Sequence, residues 1–464
     1  MEKEQRTTQQ QKSFRVIVVG GGLVAITAAH ILSKADIDFV ILERCDDLMP
    51  KIGSLVALWP ATYRIFNQLG ILDVFLPMLN DFEDIYTIDA NDGSLVRVLK
   101  GFSNIWTRNF GYGFGYISRT QFLNTLYGCL PESAKNQIRV KKHVTAIETL
   151  PDGVRVQCED GTVEEGAIVI GADGVHSRTR QCMEALASGK PKEQVSQDTE
   201  SPCPVTYRAI IGDMTEIYGF KGFDIYQASG YGVASQTWRL RDGSAWWYLF
   251  EALEEPAQRR QWHTAQDKQE MMNKYADLHA APGYRFRDLF SLSAGNISLI
   301  NLEEGKVDRW TWGGRIALVG DAVRKLHPNS GLGYNRGVGD VVELLNGLRW
   351  LVQSHEGSGE GQSLTGDMLQ VVLDEYEKGR KESETIVREA SRMNARGLAW
   401  PSWGYRFVAR WIDPFLPLAK WLTDYVLAPV VAREPAIDWL EETELPQGTS
   451  PWLRHPRPQR ANEH

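Results

Sequence analysis

Residues 14–44 read FRVIVVGGGLVAITAAHILSKADIDFVILER, and this stretch decides the fold class. Val16 to Val19 form an unbroken apolar run, as a strand covered on both faces of a parallel sheet requires. Gly20, Gly22 and Ala25 then fill the three places of a G-x-G-x-x-G/A turn. The first glycine permits the turn and the second lets a pyrophosphate approach the main chain. The third, here alanine, lets the following helix lie close to the strand. That helix aims its free N–H groups and positive dipole end at the phosphates. Glu43 ends the second strand, where an acid accepts hydrogen bonds from a ribose. Strand, turn, helix and terminal acid together predict a dinucleotide site, without deciding between FAD and NAD(P).

Two later stretches have the same strand-then-turn form. GAIVIGADGVHSRTR follows an apolar run, with Asp173 and Gly174 in the turn and Ser177 placed to cap the next helix. GRIALVGDAVRKLHPNSGLGYN ends a strand in Gly320-Asp321 and continues into a loop with two spaced glycines, Gly331 and Gly333. Such a loop suits a backbone that must come very close to a ligand.

The three fingerprints in this order resemble the flavoprotein aromatic hydroxylases, the family of p-hydroxybenzoate hydroxylase, over residues 15 to about 340. A closer resemblance, carried by FGYGFGYISRTQFLNTLYGCLP and IVIGADGVHSRTR, is to fungal members that epoxidise prenylated indole-diterpene and meroterpenoid substrates. The resemblance implies FAD as cofactor and NADPH or NADH as electron donor. It implies that Asp173 lies near both cofactors and that Asp321 holds a hydroxyl of the flavin's sugar chain. Main-chain N–H groups from Pro328 to Asn335, with Gly331, Gly333 and Tyr334 among them, would face the pyrophosphate and the ring. Arg119 and Ala57 match further FAD contacts. The sequence departs from the pattern at Ala25, at Arg324, where histidine is common, and at Tyr334, where a small residue is usual.

The implied fold is α/β: a Rossmann-like FAD-binding domain, a β-sheet substrate domain and a C-terminal helical region. The FAD domain is discontinuous, over 13–80, 112–182 and 292–352. The substrate sheet takes 81–111 and 200–291, where Asp-Gly turns between apolar runs predict hairpins. Residues 353–464 form the helical region, with one long amphipathic helix expected over 367–395. Residues 1–12 read as a disordered tail and 187–204 as an exposed polar loop.

The implied chemistry passes an electrophilic oxygen from reduced flavin and O₂ to a π bond. It favours a dry, aromatic-lined pocket to which Trp246, Trp247, Tyr248 and Phe250 are candidates. Arg208 and Tyr226, on the substrate sheet, are the candidate catalytic residues, one for hydrogen bonding and one as a proton source. His327 reads as structural, and His143 and His176 have no evident partner. Trp310 lies in a W-x-W that lacks the following Ile-Pro of flavin halogenases, so packing is its expected role. The expected substrate is small, hydrophobic and prenylated. Hydroxylation of a phenolic ring is the alternative, and a flavin-binding scaffold without turnover the reading from another class.

Composition bounds the rest. The 464 residues carry a net charge of −8, which gives nucleic-acid binding no electrostatic support. Five scattered cysteines suggest neither a disulfide framework nor a metal site, and fit an intracellular, reducing location. The chain has no run of ~18 apolar residues free of charge. Residues 398–432 are nonetheless rich in aromatics beside Arg and Lys, as a peripheral contact with the cytoplasmic face of a membrane would need. Asp413 and Asp424 argue against a spanning helix.

Overall fold

The computed structural model describes residues 14–49, 54–189, 202–220, 224–259, 261–293, 297–357, 364–416, 418–443 and 445–457. The N-terminal tail and most of the polar loop at 187–204 lie outside these residues. A six-stranded sheet has the order Thr311–Trp312, Ile316–Leu318, Ile168–Gly171, Arg15–Val19, Asp38–Leu42, Ile138–Arg139. All neighbours pair in parallel except the edge strand Thr311–Trp312. Val16, Ile17 and Val18 are fully buried, which is why their run is unbroken by polar residues. Val18 pairs with Ile170 on one side and Ile41 on the other. The register therefore brings the three fingerprint turns to one edge of the sheet, at the carboxyl ends of adjacent strands, where open α/β sheets bind ligands.

A second sheet of seven strands has the order Ile297–Glu303, Val205–Met214, Ala245–Ala257, Val233–Arg239, Ile225–Gly230, Ile85–Asp89, Leu95–Leu99. The hairpins expected at Asp92-Gly93 and Asp242-Gly243 are both present. One boundary moves: Ile297–Glu303, assigned from sequence to the FAD domain, pairs with Val205–Gly212 in this second sheet. Side chains alternate between its two faces. Ile210, Trp247 and Leu249 pack under the helices Ala265–Tyr275 and Phe286–Leu292. Tyr207, Ala209, Tyr248 and Phe250 point the other way.

The expected helix over 367–395 is two, Gly366–Lys381 and Glu384–Leu398. They part at a turn over Glu382 and Ser383, with Ser383 at φ −92° and ψ −5°. Short helical pieces follow, Trp403–Phe407, Val408–Ile412, Leu418–Leu422, Thr423–Leu427 and Ala428–Ala432. Among the described residues, no helix is long and apolar enough to cross a membrane.

Candidate active site

Two helices begin at the shared edge of the first sheet. Leu23–Ala35 starts after Gly22, with no side chain capping its first turn, and Gly333–Gly357 starts at the end of the flavin loop. Their unpaired first-turn N–H groups and dipoles suit an anionic group. A Cβ built on Gly22 meets nothing within 4 Å, so the main chain there is open to a ligand. Gly20 faces the opposite constraint: at φ +104°, its Cβ would stand 2.7 Å from the Ala172 carbonyl oxygen. Glu43 accepts a hydrogen bond from the Gly21 N–H and, at 2.8 Å, from the Cys45 N–H. Ala25 is fully buried beneath the first strand's turn.

The flavin loop is held by side chains of its own sequence. Gly331 has φ +60°, and a Cβ on it would lie 2.6 Å from Cβ of Ala57. Asn335 uses its whole amide. Its oxygen accepts from Trp59 N–H at 2.9 Å and from the Thr62 hydroxyl at 2.6 Å. Its nitrogen donates to the Ala57 carbonyl at 2.8 Å and the Gly331 carbonyl at 2.7 Å. Asn335 is thus a staple between loop and strand Leu55–Leu58, with no donor or acceptor left for a ligand. Tyr334 points into the domain: its hydroxyl lies 2.8 Å from Thr27 Oγ1 and its ring meets the edge of Phe122. The unusual tyrosine ties the two converging helices together. Asp321 pairs with Lys325, and its Oδ1 lies 3.8 Å from the Cβ position of Gly333. Burial opposes the charge of Lys325, but the Asp321 carboxylate outweighs it and raises its pKa. Arg119 is exposed, with its charge felt at Lys325.

Asp173 is committed to its own helix. It accepts from Arg178 N–H at 2.7 Å, Thr179 N–H at 2.9 Å and the Ser177 hydroxyl at 2.5 Å. Ser177 caps the helix as expected, accepting from Arg180 N–H. Arg180, which sequence reasoning passed over, donates to the Ala322 carbonyl at 2.9 Å and the Val175 carbonyl at 2.7 Å. It locks the second fingerprint to the third. Beneath the loop lies an ion cluster equally invisible in sequence. Asp340 accepts from Gly320 N–H at 3.0 Å, Arg324 at 2.6 Å and Arg380 at 2.9 Å. Arg380 also reaches Glu434 at 2.8 Å, and Arg336 pairs with Glu434. Glu384 lies 3.0 Å from Arg324. The arginine that departs from the family pattern is thus the partner of Asp340. Three cations balance three carboxylates, as burial demands.

The substrate sheet corrects both catalytic candidates. Arg208 pairs across the strands with Glu251, and its Nε donates to that carboxylate at 2.9 Å. Glu251 also takes Lys274 at 2.7 Å and the Tyr275 hydroxyl at 2.8 Å, both from the helix on the far face. Tyr226 aligns with Thr237 and thence Trp247, so it lies on that same far face, stacked 5.2 Å from Tyr86. Neither side chain turns toward the flavin loop. Trp247 is also far-facing, donating to Ser293 Oγ at 2.7 Å. Trp246, Tyr248 and Phe250 share the near face.

That near face meets the loop through His327, whose ring lies 4.7 Å from Tyr207 and 5.2 Å from Phe250. Burial pushes the His327 pKa down to about 3, so it is neutral. Its Nδ1 accepts from Asn329 N–H, leaving the proton on Nε2. The Tyr248 hydroxyl accepts from Leu55 N–H at 2.8 Å. One apolar cluster joins Leu326 and Leu332 of the loop to Trp59, Phe82, Trp106 and Phe114, with Trp238 and Trp246 against it. The buried indole N–H groups of Trp59, Trp106 and Trp238 have no acceptor among the described residues. Trp310 packs in the core and donates to the Val307 carbonyl, as its position suggested. His143 and His176 stand near Glu159 and Glu303.

The open backbone at Gly22, two helix starts at the same sheet edge and the Asp321 carboxylate fit FAD. A family model described as an FAD binding domain matches residues 13–381. The FAD-dependent monooxygenase spyC of Aspergillus fumigatus is 30% identical over 410 residues, 87% of this chain and 83% of that protein. The FAD-dependent monooxygenase prhF of Penicillium brasilianum is 31% identical over 408 residues, covering 84% and 80%. Among solved structures, Klebsiella pneumoniae HpxO complexed with FAD and uric acid superposes with TM-score 0.70 at 19% identity, covering 90% of this chain and 98% of that one. A salicylate hydroxylase substrate complex gives 0.64 at 19%, covering 92% and 99%.

Proposed function

This chain belongs to the FAD-dependent monooxygenases of the p-hydroxybenzoate hydroxylase-like family, and within that family we propose that it epoxidises an alkene on a prenylated intermediate. The product would set up cation-driven cyclisation by a separate enzyme in fungal secondary metabolism. NADPH or NADH is the proposed reductant. The observation that carries the reading is the apolar, aromatic wall that Trp59, Phe114, Trp238 and Trp246 set against Leu326 and Leu332 of the flavin loop. An isolated alkene needs no counter-ion, only orientation and exclusion of water. Unpaired indole N–H groups in that wall offer hydrogen bonds to an oxygen elsewhere on the substrate.

Bound FAD supplies the hydride acceptance and oxygen activation. In this reading Gly22 and the first turns of the two helices take its pyrophosphate, and Glu43 and Asp321 take sugar hydroxyls. Ala57 and the loop to Asn335 shape the ring site. Tyr248 and His327 hold the near face against that loop.

Ring hydroxylation has one foothold. The charges of Arg396 and Arg392 reach Tyr207 beside the loop, where a phenolate would want a cation. Incubation with NADPH, ¹⁸O₂ and a matched pair of phenols, one farnesylated and one bare, decides. Label on the prenyl chain supports the proposal. Label on either ring replaces it with hydroxylation, and absence of substrate-dependent NADPH oxidation returns the scaffold reading.

A further inference from the structure

The helical pieces between Trp403 and Leu427 are amphipathic the wrong way round for a protein surface. An ordinary surface helix buries its apolar stripe and leaves charge in water. Here four charged side chains, Arg406, Arg410, Asp413 and Asp424, turn inward. Arg406 reaches the fully buried Asp89 at 2.9 Å, and Arg410 reaches Ser94 at 3.1 Å. Asp413 pairs with Arg97, and Asp424 with Arg108 and, at 3.0 Å, Asn109. The two aspartates that spoke against a spanning helix are therefore anchors onto the substrate sheet and its neighbouring helix. The aromatics turn outward: Trp403 is 75% exposed, Phe407 48%, Trp411 61%, Phe415 78%, Trp421 56% and Tyr425 70%. So many large exposed aromatics in one short stretch, with Trp403 against Phe407 and Trp421 against Tyr425, mark a surface that something apolar covers.

Charge identifies the cover. Beside the aromatic face opens a cleft of about 670 Å³ lined by Arg97, Lys100, Arg108 and Lys420, with Asp413 as its carboxylate. Arg97 and Arg108 are paired, but Lys100 and Lys420 are exposed and have no ion pair among the described residues. This local surplus of positive charge sits on a chain whose net charge is −8. We infer that the Trp403–Leu427 strap docks in the plane of an anionic lipid bilayer. Its aromatics enter the headgroup boundary, and Lys100 and Lys420 meet phosphate or carboxylate headgroups. Tryptophan and tyrosine favour that boundary, and juxtamembrane lysines favour anionic lipid. A second copy of the chain is the poorer occupant, because it would bring the same surplus of positive charge to the contact. The strap crosses the near face of the substrate sheet through Asp89 and Arg97, so docking places bilayer beside the apolar wall.

Flotation of the FAD-loaded full chain with phosphatidylcholine vesicles, with and without phosphatidylserine, tests the inference. The chain floats with the anionic vesicles, and added salt weakens it. Trp411→Ser with Phe415→Ser lowers partitioning at least ~10-fold. Lys100→Glu with Lys420→Glu removes the preference for anionic lipid, a loss of roughly 10-fold or more. Flavin content in both variants reports that the body remains folded. No flotation with either vesicle, or flotation indifferent to the aromatic pair, overturns the inference. So does a concentration-dependent dimer that the aromatic pair abolishes, which would give the face to a second copy.

Discussion

The flavin edge and the substrate sheet differ in how their chemistry is written. At the edge of the first sheet, the features that suit a cofactor lie in the backbone: an uncrowded main chain at Gly22, a left-handed turn at Gly331, two helix starts. Residue types that permit a backbone shape announce it in sequence. On the second sheet, function depends on which face a side chain takes. A change of one residue in register moves every side chain to the opposite face. Arg208 and Tyr226 look apt as residue types, yet both turn to the helices on the far side.

The largest effect expected at the flavin edge comes from Asp340→Ala. It strands Arg324 and Arg380 in the interior and frees Gly320 N–H, costing about 3–5 kcal/mol in denaturant unfolding with loss of bound flavin. Loss below about 1 kcal/mol would mean the cluster is open to water. The same cluster gives a pH dependence. Burial opposes the charges of Asp340 and Glu434, but Arg324 and Arg380 outweigh it for the first, Arg336 and Arg380 for the second, and both pKa values are lowered. Their stabilisation is present in full above the unfolded carboxylate pKa of about 4 and is lost as pH falls through the folded values. Glu434→Gln flattens that acid limb in thermal melts, and an unchanged slope would remove Glu434 from the account.

Next comes Gly331→Ala. Its strained φ and contact with Ala57 cost about 1–3 kcal/mol, read as roughly 5- to 150-fold weaker FAD retention in spectroscopic titration. Adding Ala57→Gly relieves the contact but not the dihedral, so only part returns. Complete recovery would show that φ at this position is not constrained.

On the sheet the expected effects are of another kind, on stability rather than on flavin retention. Arg208→Met lowers unfolding stability by about 1–3 kcal/mol, because Glu251 keeps Lys274 and Tyr275. Product formed per NADPH stays the same. A loss of turnover above ~100-fold with unchanged stability would restore the catalytic reading. Tyr226→Phe keeps the stack on Tyr86 and changes both quantities least, by under about 1 kcal/mol.

The sequence signals that succeeded were those with a fixed spacing. The three turns, the parallel strands that carry them and the Asp-Gly hairpins follow from local rules. The task of the Asn335 side chain was not legible, because nothing local says its amide is spent on Trp59, Thr62, Ala57 and Gly331. The Asp340 cluster draws on residues 324 to 434, and no spacing rule links them. Arg180 likewise acts on a carbonyl 142 positions away. The aromatics of 403–425 were visible as a composition; that their face is outward and their charges inward needed the fold.

Trp246 and Trp247 are adjacent in sequence and opposite in face, and they test the account most directly. With the prenylated phenol that takes up label, product per NADPH is compared for Trp246→Leu and Trp247→Leu. The near face predicts a fall of about 10-fold or more for Trp246→Leu with flavin content intact. For Trp247→Leu it predicts a lower melting temperature and unchanged product per NADPH. Uncoupling by Trp247→Leu, with Trp246→Leu silent, would put the oxidation site on the other side of the sheet.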